Sequence, residues 1–236
     1  MEYLTNKEIE NKTGTLKGKF QTWDSWTLKQ GNAEEIIRKY IPLSDDLEIL
    51  DCGTGNGTFL KQLHTLGFTK LYATDIDNYL SDEARGFVKD FQKVDLSFDR
   101  LSYGDNKFDL ITAWCVIPHL ENPFHFMREV HRLLKPGGLF IFSTININSG
   151  GHRKYFYQNG ELPGYHEKNN HISIITNKVL RKTAQKYFDF IGLEELIAPR
   201  IFKGALGRFR KIAFFFFKNY LQKRWGAKIA YILRRK

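Results

Sequence analysis

The sequence predicts an α/β fold in which a parallel sheet is covered by helices on both faces. From about residue 45 onward, apolar runs of strand length alternate with segments of helical periodicity. These runs are continuously apolar, which is typical of strands that are buried on both faces. With 236 residues, 42% of them hydrophobic, the chain is long enough to enclose a full core. We therefore expect a single domain.

The predicted elements follow from periodicity and from the residues that punctuate it. A short helix over 33–40 has Asn32 as a candidate N-cap and ends before Pro42. Residues 135–138, Lys-Pro-Gly-Gly, are expected to end the helix before them. The further elements are strand 47–52, helix 58–66, strand 71–76, weak helix 81–89, strand 91–96, strand 108–117, helix 123–134, strand 139–145, helix 177–188, strand 193–198, helix 209–223 and strand 227–233.

A glycine-rich segment joins the first predicted strand to its helix. Gly53, Gly55 and Gly57 allow a sharp turn and a close approach of a ligand, and the helix start offers unpaired N–H groups. The dinucleotide fingerprint requires its third glycine where this chain has Thr58. Asp75 lies 18 residues after Gly57, at the end of the second strand, where a carboxylate can bind both ribose hydroxyls. We therefore predict a nucleoside ligand without a pyrophosphate in the loop.

Six segments, taken in order, resemble the motif series of the class I S-adenosylmethionine-dependent methyltransferases, in particular the branch that modifies small molecules. The segments are 51–57, 73–77, 94–96, 108–111, 118–120 and 129–138. The resemblance implies S-adenosylmethionine as cofactor, S-adenosylhomocysteine as its product, and no metal. It also implies a Rossmann-like, mostly parallel sheet of seven strands, whose last strand, 227–233, is antiparallel.

The resemblance further implies a set of cofactor-binding residues. They are Asp51, Gly53, Gly55, Gly57, Asp75, Ile76, Asp95, Leu96 and Ala113. Asp75 would bind the ribose, and Asp95 would bind the adenine amino group. Asp95 fits equally well as the cap of the turn that begins at Leu96.

Candidate residues for the methyl acceptor lie beyond the ends of the strands. Methyl transfer depends mainly on alignment, and a base is needed only if the acceptor must lose a proton. His119 follows the fourth strand and is the candidate catalytic residue; the alternative is a structural histidine at the turn of Pro118. Trp114 fits either the floor of the site or the core. The candidate substrate-binding residues are Trp23, Trp26, Trp114, His166 and His171.

The single predicted domain has four parts. They are an N-terminal cap over 1–44, a cofactor-binding half over 45–146, a substrate-lid insert over 147–172 and a C-terminal half over 173–236. The cap and the insert carry aromatic residues and lack the periodicity of core elements. Both can reach the carboxyl ends of the strands, where ligands bind in parallel sheets. We expect them to form a lid over the acceptor.

Positive charge is concentrated at the C-terminal end. The net charge is +10, but all 12 charged residues of 200–236 are basic, whereas 1–199 hold 24 basic and 26 acidic residues. The helix 209–223 is amphipathic, which favours packing on the core. Its phenylalanines at 214–217 exceed one face, and an oligomer interface, a lipid or a substrate channel would each cover the excess. The alternative role for this tail is to recruit an anionic membrane surface or a phosphorylated acceptor.

Methyl transfer to a small-molecule acceptor, at oxygen, is the favoured function, with a sugar or a lipid-linked metabolite as examples. An RNA methyltransferase is the first alternative, but 113–116 read Ala-Trp-Cys-Val where enzymes that methylate nucleic-acid amines carry an Asn/Asp-Pro-Pro-aromatic tetrad. Nucleic acid is therefore disfavoured as a partner. A non-catalytic S-adenosylmethionine-binding protein is the second alternative.

The cysteines and the N-terminus predict a cytoplasmic protein, with peripheral attachment to a membrane as the variant that the basic tail would allow. Cys52 and Cys115 form no disulfide framework, and both are expected to be small core residues within strands. The polar N-terminal segment does not match a signal peptide.

Overall fold

The computed structural model describes residues 32–165, 170–196 and 226–236. Its elements, in chain order, are α1 (Asn32–Tyr40), β1 (Glu48–Cys52), α2 (Thr58–Thr65), β2 (Lys70–Asp75), α3 (Asp82–Arg85), β3 (Val88–Lys93), β4 (Phe108–Trp114), a 3₁₀ turn (Ile117–His119), α4 (Pro123–Leu133), β5 (Leu134–Ile145), α5 (Gly150–Asn159), α6 (Asn177–Ala184), β6 (Phe188–Leu196) and β7 (Lys228–Arg235). Trp23, Trp26, His166 and the predicted helix 209–223 lie outside the described residues.

The strands of the described ranges form one seven-stranded sheet in the order β3-β2-β1-β4-β5-β7-β6. The pairs from β3 to β5 are parallel, and β7 is antiparallel to both of its neighbours. The prediction of a Rossmann-like, mostly parallel sheet with an antiparallel last strand is therefore confirmed. Because β1 lies between β2 and β4, the strand order reverses there, which is where ligands bind in open α/β sheets.

Helices cover both faces of the sheet, as predicted. Successive side chains of a strand point to opposite faces. Along β4, Leu110 packs in one apolar cluster with α1 and α2, whereas Ile111 packs in a second cluster with α4 and α6. Since apolar side chains cover both faces of the central strands, a ligand can reach the sheet only at the ends of the strands.

The Lys-Pro-Gly-Gly segment differs from its prediction. The helix α4 ends at Leu133, but residues 135–138 lie inside β5, which begins at Leu134. They form an irregularity in the pairing with β4, because the register shifts there. At Gly138 a Cβ would lie 2.9 Å from the carbonyl oxygen of Lys135 and 3.1 Å from that of Asp109 in β4, so the close packing of the backbone requires glycine there.

Three other boundaries also differ. β3 begins at Val88, so the predicted strand 91–96 is misplaced and the predicted helix 81–89 is reduced to α3. β3 is an edge strand with half-exposed residues, for which an apolar run is a weak guide. β6 begins at Phe188, before the predicted 193.

The insert contains α5, none of whose residues is buried. No helix in the described ranges combines the length and the apolar character that crossing a membrane requires.

Candidate active site

The loop after β1 takes a shape that only glycine adopts without strain. Gly53, Gly55 and Gly57 have φ angles of +67°, +54° and +85°. The left-handed region costs residues with a Cβ roughly 1–2 kcal/mol each. A Cβ on Gly57 would also lie 2.5 Å from the Cβ of Ala84 in α3. The loop is thus fixed both by its dihedral angles and by its packing.

Asp75, the last residue of β2, is hydrogen-bonded to this loop. Its Oδ2 accepts a hydrogen bond of 2.7 Å from the N–H of Gly55, and its Oδ1 accepts one of 2.7 Å from the N–H of Ile76. A carboxylate offers about four acceptor positions, so about two are left for a ligand. Burial raises the pKa of Asp75 to about 6, although both N–H groups favour the charged form.

Asp51 is a second buried carboxyl group beside the loop. The hydroxyl of Thr112, its partner in the pairing of β1 with β4, donates a hydrogen bond of 2.7 Å to its Oδ1. Burial raises the pKa of Asp51 to about 7. The hydroxyls of Thr112 and Thr54 oppose this rise, whereas the charge of Asp75 adds to it.

Neither of these carboxylates forms an ion pair with a described residue. Buried carboxylates are normally paired, because an isolated charge is costly to desolvate. A ligand that brings a positive charge to Asp51 and hydroxyl groups to Asp75 would satisfy both. The geometry therefore fits a cationic nucleoside at this edge of the sheet.

Asp95, the predicted adenine contact, stabilises its own turn. Its Oδ1 accepts a hydrogen bond of 2.8 Å from the N–H of Ser97, and its own N–H donates to Asp99 at 2.7 Å. The turn-capping interpretation is thus present in the structure, and contact with adenine stays a prediction.

The remaining predicted contacts differ in exposure. Ile76 is half-buried directly after β2, while Leu96 and Ala113 are buried. Trp114 is also buried, and its ring packs edge-on against Phe59 at a centroid distance of 5.3 Å. This contact favours the core interpretation of Trp114.

His119 lies in the 3₁₀ turn after β4, close to His171. The two imidazole rings meet edge to face with centroids 4.5 Å apart. Burial lowers the pKa of His119 to about 3, and His171 and Lys228 add to this, while hydrogen bonds with Asn170 oppose it. Its Nδ1 is buried and has no hydrogen-bond partner among the residues that the structure describes. At neutral pH His119 is therefore an uncharged imidazole with one ring nitrogen left for a ligand.

The insert holds His171 in place. Its Nδ1 lies 2.6 Å from the carbonyl oxygen of Gly164, which fixes the hydrogen on that nitrogen. The N–H of Ser173 donates at 3.0 Å to the carbonyl oxygen of Pro118, the residue before His119. The structure thus joins two predicted positions that are 52 residues apart in the sequence.

Cys115 and Lys228 were not predicted as site residues. Cys52 is buried in β1 as predicted, but Cys115 follows the end of β4 and is half-buried with φ at +60°. The prediction that Cys115 is a core residue within a strand is therefore wrong, because the chain turns away from the sheet at Trp114. The Nζ of Lys228 donates to the Sγ of Cys115 at 2.8 Å. Since β7 is antiparallel, its first residue lies where the parallel strands end.

Residues 26–190 match a family model described as a methyltransferase domain. This match spans well over half of the chain, and the described sheet has the seven strands and the strand directions that the resemblance implies. The chain belongs to the class I S-adenosylmethionine-dependent methyltransferase family.

Similar proteins agree with this assignment. A ubiquinone biosynthesis O-methyltransferase of Ruegeria pomeroyi is 32% identical over 43% of this chain and 42% of its own length. A ubiquinone/menaquinone biosynthesis C-methyltransferase of Bdellovibrio bacteriovorus is 29% identical over 49% of this chain and 53% of its own. The chain thus spans about half the length of these relatives. The crystal structure of an S-adenosylmethionine-dependent methyltransferase from Mesorhizobium loti has the same fold, with a TM-score of 0.60, 19% identity, and coverage of 88% of this chain and 100% of the other.

Proposed function

We propose that the protein transfers the methyl group of S-adenosylmethionine to an oxygen atom of a small-molecule acceptor. The observation that carries this proposal is the pair of buried carboxylates, Asp51 and Asp75, which lie beside a left-handed glycine loop without a cation among the described residues. The cofactor carries a positive ammonium and a positive sulfonium together with two ribose hydroxyls. Family membership supports the same cofactor.

The loop and the two carboxylates beside it would contact different parts of the cofactor. Asp75 would accept hydrogen bonds from the ribose through its remaining acceptor positions. Asp51, Gly53 and Gly55 would border the methionyl part, where the positive charge lies. When bound, the cofactor supplies a methyl group that is already activated by its sulfonium. The protein then has mainly to align the acceptor, which is worth about 7–11 kcal/mol in favourable cases.

His119 is the candidate residue for the acceptor. Its buried Nδ1 could accept a hydrogen bond from the acceptor hydroxyl, which would point an oxygen lone pair toward the methyl group. Because its pKa is about 3, His119 would orient the hydroxyl group instead of removing its proton beforehand. A direct hydroxyl acceptor agrees with the O-methyltransferase named for the Ruegeria relative, whereas the Bdellovibrio relative keeps transfer to carbon as the second candidate.

Several finer assignments belong to the same proposal. Trp23, Trp26 and His166 would cover the acceptor together with His171, and the basic tail would contact an anionic lipid surface or a phosphorylated acceptor. An RNA acceptor and a non-catalytic protein remain the alternatives.

The test is to measure S-adenosylhomocysteine release with candidate acceptors, and to identify any ligand that copurifies with the protein by mass spectrometry. Release that depends on a small hydroxylated acceptor supports the proposal. Release with RNA alone would favour the first alternative. Binding of the cofactor without release for any acceptor would favour the second.

A further inference from the structure

A cysteine and a lysine meet where β4 ends and β7 begins. The Nζ of Lys228 lies 2.8 Å from the Sγ of Cys115, and the Oγ of Ser143 lies 3.4 Å from the same sulfur. The N–H of Cys115 donates to this Oγ at 3.0 Å, which anchors the residue to β5. Reacting atoms held about 3–3.5 Å apart are in a near-attack arrangement. The amine and the sulfur are therefore within reach of a covalent bond.

The backbone and the exposure of Cys115 set it apart from Cys52. Cys115 has φ at +60°, which is an uncommon and strained conformation for a residue with a Cβ and one that clusters at functional sites. Cys115 is half-buried, so a small oxidant can reach its sulfur. Cys52 is fully buried, and burial raises its pKa well above the usual range of a thiol. The chain thus holds a matched internal control.

We propose that Cys115 and Lys228 form an oxidation-dependent covalent link. A peroxide oxidises the thiol of Cys115 to a sulfenic acid and is itself reduced, releasing one water. The neutral amine of Lys228 then attacks the sulfur, the S–O bond breaks, and the oxygen leaves as a second water with one hydrogen from the amine. The product is a sulfur–nitrogen bond between the two side chains.

This link would tie the carboxyl end of β4 to the amino end of β7 beside His119. It is reversible, since two equivalents of a small thiol return the free cysteine and lysine and are themselves oxidised to a disulfide. The inference rests on the contact between the two side chains and does not depend on the proposed methyl transfer.

The full-length protein itself supplies the test. After treatment with hydrogen peroxide, blocking of free thiols and digestion with trypsin, the residues of 108–128 and 225–234 should appear as one cross-linked species. Its mass should equal the sum of the two peptides less two hydrogen atoms. Cleavage after Lys228 should be lost, and treatment with a small thiol before digestion should restore it.

Two variants and Cys52 serve as controls. K228R retains the positive charge but removes the reactive amine, so sulfenic acid should accumulate at Cys115 without a cross-link. C115S should remove both products, and Cys52 should stay reduced throughout. Oxidation of Cys115 in the unmodified sequence with Lys228 still cleaved, or no oxidation of Cys115 at all, would overturn the proposal. Equal cross-linking in K228R would overturn it as well.

Discussion

The two ends of the candidate site differ in how their charges are balanced. At the cofactor end, Asp51 and Asp75 place negative charge in a buried position without a cation among the described residues. At the proposed acceptor end, the charged groups that act on His119 are His171 and Lys228, both basic, whereas hydrogen bonds with Asn170 partly oppose them. The first end suits a cationic ligand, and the second keeps its histidine neutral. Under the proposed function, the difference would separate a cofactor-binding region that is governed by charge from an acceptor-orienting region that is governed by hydrogen bonding.

The largest effect is expected from a change in the glycine loop. G57A forces a left-handed alanine and places its Cβ 2.5 Å from that of Ala84, so we expect a loss of about 2–5 kcal/mol in the free energy of unfolding. Gly67 is the matched control: its φ is +96°, but a Cβ there has no atom within 4 Å. G67A should cost only the roughly 1–2 kcal/mol of the dihedral angle. Urea denaturation of both variants compares the two costs, and equal losses would contradict the packing role of the loop.

The next effect concerns the ribose. D75A removes the acceptor of the Gly55 N–H and two acceptor positions for the ligand, and charge-assisted hydrogen bonds contribute about 1.5–3 kcal/mol each. We expect calorimetry to show an affinity for S-adenosylhomocysteine that is reduced at least about tenfold. D82A, which removes an exposed carboxylate in α3, should leave the affinity unchanged. Unchanged affinity in D75A would exclude the ribose assignment.

A smaller effect separates the two ends by pH. Because the folded-state pKa values of Asp51 and Asp75 are raised to about 7 and about 6, the free protein holds protons that a cationic ligand must displace. Affinity for S-adenosylhomocysteine should therefore fall as pH drops below about 7, by up to about tenfold per unit for each proton. The contribution of these two groups to stability has the opposite sign: it falls as pH rises from about 4 to about 7, since the native state binds more protons than the unfolded state.

The control for this pH dependence is D51N, which retains an oxygen for the hydroxyl of Thr112 but cannot titrate. Its affinity should vary less with pH than that of the original protein. An affinity that is independent of pH in the original protein would show that no buried carboxylate is linked to binding.

The smallest effect is expected at His119. If His119 only orients the acceptor, as its pKa of about 3 indicates, H119Q should lower the rate of methyl transfer about tenfold. Removal of a general base typically lowers a rate roughly 10²–10⁴-fold. The rate of the original protein should not change around pH 6.5 in a way that H119Q abolishes, because 6.5 is the ordinary pKa of a histidine. A loss of a thousandfold together with such a change would identify His119 as a base.

The glycine loop and its contact with Asp75, at the proposed cofactor end, could be predicted from the sequence because their signals are local. Glycines at alternate positions after an apolar run, followed by an acid at the end of the next strand, lie within the 25 residues from Asp51 to Asp75. The raised pKa values could not be predicted, since they depend on burial by elements far away in the chain.

The acceptor end depends on contacts between distant segments. Lys228 is 113 residues from Cys115, and only the antiparallel direction of β7 brings them together. Lys228 lies at the start of the predicted antiparallel last strand, 227–233. The position of Lys228 near the carboxyl ends of the parallel strands therefore follows from that predicted topology. The turn of the chain at Cys115 did not, because nothing in the apolar run 108–117 indicates that the strand ends at Trp114.

Titration calorimetry of the folded protein with S-adenosylmethionine, S-adenosylhomocysteine and NAD tests the central claim most directly. The two buried carboxylates, which have no ion-pair partner in the described part of the chain, and the left-handed glycine loop predict binding of both sulfur nucleosides and no binding of NAD. The affinity for the sulfur nucleosides should fall below about pH 7. If neither sulfur nucleoside binds to a sample shown to be folded, or if NAD binds in their place, the assignment of this edge of the sheet is wrong.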